Sequence, residues 1–187
     1  MNKPFESYFK SHDHHRLFYQ EWKTPSSKAV LLFVHGLNEH SGRYSNPVHY
    51  FLKCGYTLYL FDQRGHGKSD GLRSYVDNFR SYLKDLDEFT RFVASKEKGK
   101  KVFMVGHSFG GQVALNYVGH AKTPLAGFIT SSANIQLAVK ISWLKKQMVL
   151  NLVRFLPQLN LDGEIDPQWI SRDPDVVRAY KRDPLVS

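Results

Sequence analysis

The sequence is poor in cysteine, in long apolar runs and in repetition. Cys54 is the single cysteine among 187 residues, so no disulfide can form within the chain. That composition fits a reducing compartment, and we expect a cytoplasmic protein. No uninterrupted apolar run approaches the ~20 residues that a membrane-spanning helix needs. The opening residues, Met1-Asn2-Lys3-Pro4-Phe5-Glu6, carry no apolar signal-peptide core. No internal repeat or low-complexity tract is visible, which excludes a repeat array. There is no arginine-rich tract and no nucleic-acid motif. Lys and Arg number 26 against 17 Asp and Glu, a formal charge of +9, but the cations are scattered among acids, as in Lys84-Asp85-Leu86-Asp87-Glu88. Such a distribution reads as a solvated surface, and no nucleic-acid partner is expected.

What is present argues for a globular α/β domain. Hydrophobic residues make up 42% of the chain and aromatic residues 14%, enough for a core in one domain of this length. Four apolar runs, 29–34, 56–61, 102–105 and 126–130, are rich in β-branched or aromatic residues. Most are apolar on both faces, as strands buried on both sides of a sheet are. Helical stretches are expected between them at 46–53, 76–98 and 110–118. In the second, Phe79, Leu83, Leu86, Phe89, Phe92 and Val93 recur at three- and four-residue spacing. Gly55 suits the position just past the first helix. Strands alternating with helices predict a mainly parallel sheet with helices on both faces.

Ahead of these, 6–10 and 17–22 flank a polar stretch and read as a hairpin at the sheet edge. Its turn carries His12, His14 and His15. With no acid or cysteine cluster to complete a ligand set, a solvated turn is expected there and no metal. After residue 130 the texture changes: an amphipathic stretch over 139–156 precedes a Pro- and Asp-rich tail. The chain therefore divides into a core part, 1–131, and a cap or lid segment, 132–187.

Three motifs carry chemistry. The third strand runs into Gly106-His107-Ser108-Phe109-Gly110-Gly111 and a helix follows, which is G-x-S-x-G in the strand–turn–helix setting that gives the motif meaning. The serine must sit on a tight, strained turn, and glycines two residues either side lack the Cβ atoms that would collide there. The helix N-terminus favours a developing oxyanion. Ser108 is thus the candidate nucleophile. The first strand ends in His35-Gly36-Leu37-Asn38-Glu39-His40-Ser41-Gly42-Arg43-Tyr44, where this architecture supplies the second oxyanion donor; the donors are assigned to the backbone N–H groups of Leu37 and Phe109. His35 is read as shaping the loop through hydrogen bonds, not as a base. The third motif is Asp62-Gln63-Arg64-Gly65-His66-Gly67-Lys68-Ser69-Asp70-Gly71. Its Gly67-Lys68-Ser69 invites comparison with a phosphate-binding loop, but the first glycine of that pattern would be Asp62, whose carboxylate would repel phosphate.

Together the motifs resemble the monoacylglycerol lipase and lysophospholipase branch of the α/β-hydrolases, whose pattern is close to H-G-x-x-E-H-S-G-R-Y, D-x-R-G-H-G-x-S and G-H-S-x-G-G. The resemblance covers nearly the whole chain. One departure is Asn38, where such loops often carry glycine; asparagine tolerates left-handed backbone angles. The resemblance implies an α/β-hydrolase fold with a helical cap, incomplete at the C-terminus, and a serine carboxylic-ester hydrolase acting through an acyl-enzyme on monoacylglycerols, lysophospholipids or similar small lipid esters, without a cofactor. Serine in place of aspartate at residue 108 disfavours dehalogenase or epoxide hydrolase chemistry. The family places the acid and the base after the cap, so neither is expected in this chain, and about 100 further residues would complete the domain. The chain alone is then expected to be inactive, and to self-associate or bind a C-terminal complement through the apolar edge at 126–130.

Two other readings stay open: a non-catalytic binding module of the same fold and, within the fold, a peptidase or thioesterase. The stretch 140–156 holds Lys140, Lys145, Lys146 and Arg154 and no acid, with Trp143, Leu144, Met148, Leu152 and Phe155 for an apolar face. It suits either a lid packed over the site or a peripheral membrane contact.

Overall fold

The computed structural model describes residues 3–121, 123–135, 142–143, 147–148, 151–152 and 166–186. The chain divides into two compact units, Met1–Asn134 with Pro184–Ser187, and Ile135–Asp183. The first is built on a six-stranded sheet: β1 (Phe5–Lys10), β2 (Arg16–Trp22), β3 (Val30–Val34), β4 (Thr57–Phe61), β5 (Val102–His107) and β6 (Gly127–Ser131), in spatial order β1-β2-β4-β3-β5-β6. The β1–β2 hairpin and the β2–β4 pair are antiparallel; β4–β3, β3–β5 and β5–β6 are parallel. The helices are α1 (Ser45–Lys53), α2 (Phe79–Lys96) and α3 (Phe109–Val118).

Alternation along the strands builds two cores. Val30, Leu32, Val34, Tyr59, Phe61 and Met104 face α2 and α3, meeting Leu86, Phe89, Val93, Val113 and Tyr117. Leu31, Phe33, Leu58 and Leu60 face the other way onto Val48, Phe51 and Leu52 of α1. Both faces of the central strands are thereby covered, which is why those strands read as continuous apolar runs. Gly55, just past α1, has φ +83° and its N–H reaches the Leu52 carbonyl at 3.0 Å. The long helix begins at Phe79, three residues later than the apolar pattern suggests. Asn78 is the reason: its extended backbone (φ −147°) and its side-chain acceptor for the Arg80 N–H make it the N-cap. On the far edge β6 is open, with Phe128 45% and Ile129 57% exposed.

In the second unit the described elements are a 3₁₀ turn, Pro167–Trp169, and α4, Pro174–Arg182. The Pro- and Asp-rich tail, to which no element is assigned from sequence, therefore contains a helix. Asp173 caps it by accepting from the Asp175 N–H at 2.8 Å, Pro174 occupies its first turn, and Lys181 and Arg182 close its last. The amphipathic helix expected over 139–156 lies largely outside the described residues; of its apolar positions, Trp143, Met148 and Leu152 are described and exposed. Among the described residues no helix is long and apolar enough to cross a membrane.

Candidate active site

The turn between β5 and α3 has the geometry that G-x-S-x-G requires. Ser108 sits at φ 51°, ψ −118°, a conformation that L-residues hold only when the surroundings impose it, at about 1–3 kcal/mol. The surroundings are explicit. The Ser108 N–H donates to the Ser131 carbonyl at 2.9 Å, and its own carbonyl accepts from Gln112 at 3.1 Å and Asn134 at 3.2 Å. A Cβ on Gly106 would lie 2.7 Å from the Gly110 carbonyl oxygen and 2.8 Å from Gly111 Cα; one on Gly110 would overlap the carbonyl oxygens of Val34 and His35. Ser108 is the N-cap residue of α3, yet its side chain makes no capping bond. Among the described residues nothing consumes the hydroxyl, and the first-turn N–H of Phe109 has no intrahelical acceptor.

The loop after β3 lies against this turn. A Cβ on Gly36 would come within 3.3 Å of Ser108 Cβ. Glu39 then ties the loop to itself: its Oε1 accepts from the Gly36 N–H at 2.6 Å and from the Tyr44 hydroxyl at 2.7 Å. Burial and the neighbouring Glu39 carboxylate both push the Tyr44 hydroxyl well above its ordinary pKa, so it stays a donor. Among the described residues no acceptor takes the Leu37 N–H. His35, 2% exposed, is spent on structure. Its Nδ1 lies 2.7 Å from the Gly36 carbonyl and its Nε2 accepts from the Gln63 N–H at 2.9 Å. Burial holds its pKa below the ordinary histidine value.

The third motif ties into the first. The buried Asp62 carboxylate accepts from the Ser41 N–H at 2.7 Å and the Lys68 N–H at 2.8 Å. Gly67, at φ 52°, is so close that a Cβ would overlap that carboxylate. The concavity a phosphate would need is thus filled by an anion, Lys68 Nζ turns to Glu6 at 3.2 Å, and the next helix begins only at Phe79. His66 is fully buried; burial, with His35 beside it, lowers its pKa to about 4.

At the hairpin turn the local sequence is misleading. His12 lies with Asp13 and with Asp85 of α2, their ligand-type atoms within 4.8 Å of one another. Asp13 is the neighbour of His12 in sequence, and the acid that the local sequence does not show, Asp85, joins them in space. Both carboxylates are already engaged by a cation: Arg64 donates to Asp85 through Nε at 2.6 Å and Nη2 at 2.7 Å, and to Asp13 through Nη1 at 2.8 Å. The cluster is an ion-pair hub joining hairpin, loop and α2. Burial would raise the Asp13 pKa, but the Arg64 guanidinium outweighs it and holds the carboxyl well below its ordinary range.

Of the remaining histidines in the first unit, His107 Nδ1 lies 3.4 Å from Ser131 Oγ and His120 follows α3 at its far end. Among the described residues, no side chain hydrogen-bonds to the Ser108 hydroxyl. Over residues 25–187 the chain matches the Hydrolase_4 family, described as serine aminopeptidase, S33. The chain belongs to that family. It is an α/β-hydrolase similar to monoacylglycerol lipases. It is 34% identical to human monoglyceride lipase over 175 residues, covering 91% of this chain and 56% of that protein. An uncharacterised abhydrolase domain-containing protein of Dictyostelium discoideum is 38% identical over 177 residues, 93% of this chain and 18% of that one. Among solved structures, a soluble variant of monoglyceride lipase from Saccharomyces cerevisiae, in complex with a substrate analogue, aligns with TM-score 0.82 at 29% identity, over 100% of this chain and 64% of that one. The Hydrolase_4 chain thus spans little more than half the length of the human relative it matches.

Proposed function

We propose that the protein is a serine hydrolase of lipid carboxylic esters, with monoacylglycerols and lysophospholipids as its substrate class. Ser108 attacks the ester carbonyl, the alcohol leaves, and water releases the acid from the acyl-enzyme. The Leu37 and Phe109 N–H groups receive the oxyanion. The observation that carries this reading is the Ser108 turn itself: a strained φ/ψ pair held by three backbone hydrogen bonds, with the hydroxyl left uncapped and the Gly36 loop against it. The likeness to monoglyceride lipases supports the substrate class. A peptidase activity is the second reading, favoured by the family's own description.

The test is an intact-mass spectrum after incubation with a fluorophosphonate. One adduct on Ser108, absent from Ser108→Ala, is expected of a chain that holds or recruits a base. No adduct would make this chain a non-catalytic module of the fold. Where labelling succeeds, turnover of monoacylglycerol but not of an amino-acid anilide separates the lipase reading from the peptidase one.

We further place the protein in the cytoplasm, with peripheral membrane contact through the segment that exposes Trp143, Met148 and Leu152, and with self-association through β6. No sedimentation with anionic vesicles would remove the membrane contact. A monomer by light scattering would remove the self-association.

A further inference from the structure

Asn38 stands where loops of this kind often carry glycine, and the structure gives its side chain a task. Its backbone is left-handed, φ 55°, and its Oδ1 accepts from the Ser74 hydroxyl at 3.1 Å. Ser74 is also left-handed, φ 53°, and its N–H donates to the Gly65 carbonyl at 3.0 Å. A Cβ on Gly65 would overlap the Leu72 carbonyl oxygen, so the segment around Ser74 is packed directly on the Asp62–Gly71 motif. Upstream, the Gly36 N–H is held by Glu39 at 2.6 Å. Leu37 therefore lies between two anchors, Gly36 on one side and Asn38 on the other.

We propose that Asn38 is a positioning residue, a strut that couples the oxyanion loop to the 71–78 segment through Ser74 and so fixes the direction of the Leu37 N–H. This rests on the reading of Ser108 as nucleophile and Leu37 as oxyanion donor. Glycine at this position would adopt φ 55° with less strain but could not reach Ser74. The strut replaces backbone freedom at the edge of the site with a side-chain bond to a second loop. In an oxyanion site that is what matters, because a donor that must first be oriented contributes less to the transition state than one already in place.

The experiment is a double-mutant cycle on the full chain with Asn38→Gly, Ser74→Ala and the pair. Two quantities are read: the rate constant for phosphonylation of Ser108 by a fluorophosphonate, and deuterium uptake by peptides spanning 36–39. Each single variant is expected to slow phosphonylation and speed exchange by about two- to tenfold, the range of one neutral hydrogen bond. The double variant should be no worse than either single one. The melting temperature of Asn38→Gly should not fall, since glycine relieves the left-handed backbone; a merely structural asparagine would lower it. Additive effects, or exchange at 36–39 unchanged in both single variants, would overturn the strut. If even the unsubstituted chain is not phosphonylated, the nucleophile reading fails for this chain, and the exchange cycle alone decides whether the strut exists.

Discussion

Replacing Arg64 by leucine removes the cation at the centre of the ion-pair hub. Asp85 is 1% exposed, and its two carboxylate oxygens face Arg64 at 2.6 and 2.7 Å, with the Ser11 hydroxyl as a further donor and His12 Nδ1 at 3.5 Å. After the substitution a buried carboxylate keeps a hydroxyl and a neighbouring imidazole but loses its guanidinium. Breaking a buried pair from one side costs about 3–5 kcal/mol, because the remaining charge is neither hydrated nor matched. Each kcal/mol shifts the thermal midpoint by about 2–4 °C in a domain of this size, so a fall of roughly 6–20 °C is expected. The part of Arg64 that binds Asp13 adds little, since Asp13 is one-third exposed and water screens it. The assay is urea unfolding followed by tryptophan fluorescence at pH 7, run beside the pair Arg64→Leu with Asp85→Leu. The pair should recover most of the loss, because two apolar side chains of suitable volume can replace a buried ion pair nearly neutrally. A loss below about 1 kcal/mol for Arg64→Leu would refute the reasoning, and so would a double variant as unstable as the sum of its parts.

Two further outcomes follow from the packing and the buried histidines. Gly110→Ala should destabilise by at least the 1–3 kcal/mol of an overpacked core, because its Cβ would overlap two backbone carbonyl oxygens that cannot rotate away. Gly99→Ala, at φ +78° with nothing within 4 Å, should cost only about 1–2 kcal/mol of backbone strain; equal losses at the two sites would contradict the steric account. His66 is lowered to about 4 in the folded chain against about 6.5 unfolded, so the unfolded state takes the proton first as pH falls. Stability should therefore drop by roughly 3 kcal/mol from this group between pH 6.5 and 4 and be unaffected by it above that window. His35, also lowered by burial, acts with the same sign. Urea titrations should show a shallower acid loss in His66→Gln, and identical slopes would exclude His66 as a source.

The parts of this molecule legible in the sequence are those whose cause is local. Gly106 and Gly110 are required by a collision within five residues of Ser108 and across to the end of β3, so the motif announces its own geometry. The continuous apolar runs announce strands covered on both faces. Asn38 announces a left-handed residue, and φ 55° is what it holds. What escaped depends on partners far away in the chain. Asp85 lies 21 residues from Arg64 and 74 from Ser11, so nothing near His12 reveals that a second carboxylate and a guanidinium join Asp13 there. The helix α4 escaped for a different reason. Its start signal, Asp173-Pro174-Asp175, is short and polar, and a proline- and aspartate-rich segment is equally the composition of a loop.

The three motifs are separated by tens of residues, yet the structure makes them one hydrogen-bonded object. Gln63 of the third holds His35 of the first through its N–H at 2.9 Å, and returns through its side-chain amide to the His35 carbonyl at 2.7 Å. Asp62 of the third holds Ser41 of the first at 2.7 Å. Gly36 of the first abuts Ser108 of the second, and Gly110 of the second leaves room for the carbonyls of Val34 and His35. Most of these residues touch no site a substrate could reach: His35, Asp62, Gln63 and His66 are all buried. Their work is to hold the ends of β3, β4 and β5 in one arrangement, so that the strain at Ser108 is borne by several loops and not relaxed by any one. Substitutions among them should for that reason be strongly non-additive, each releasing the same strain, whereas a substitution in the Glu21–Lys23–Glu97 cluster at the opposite end of the sheet should add independently to any of them.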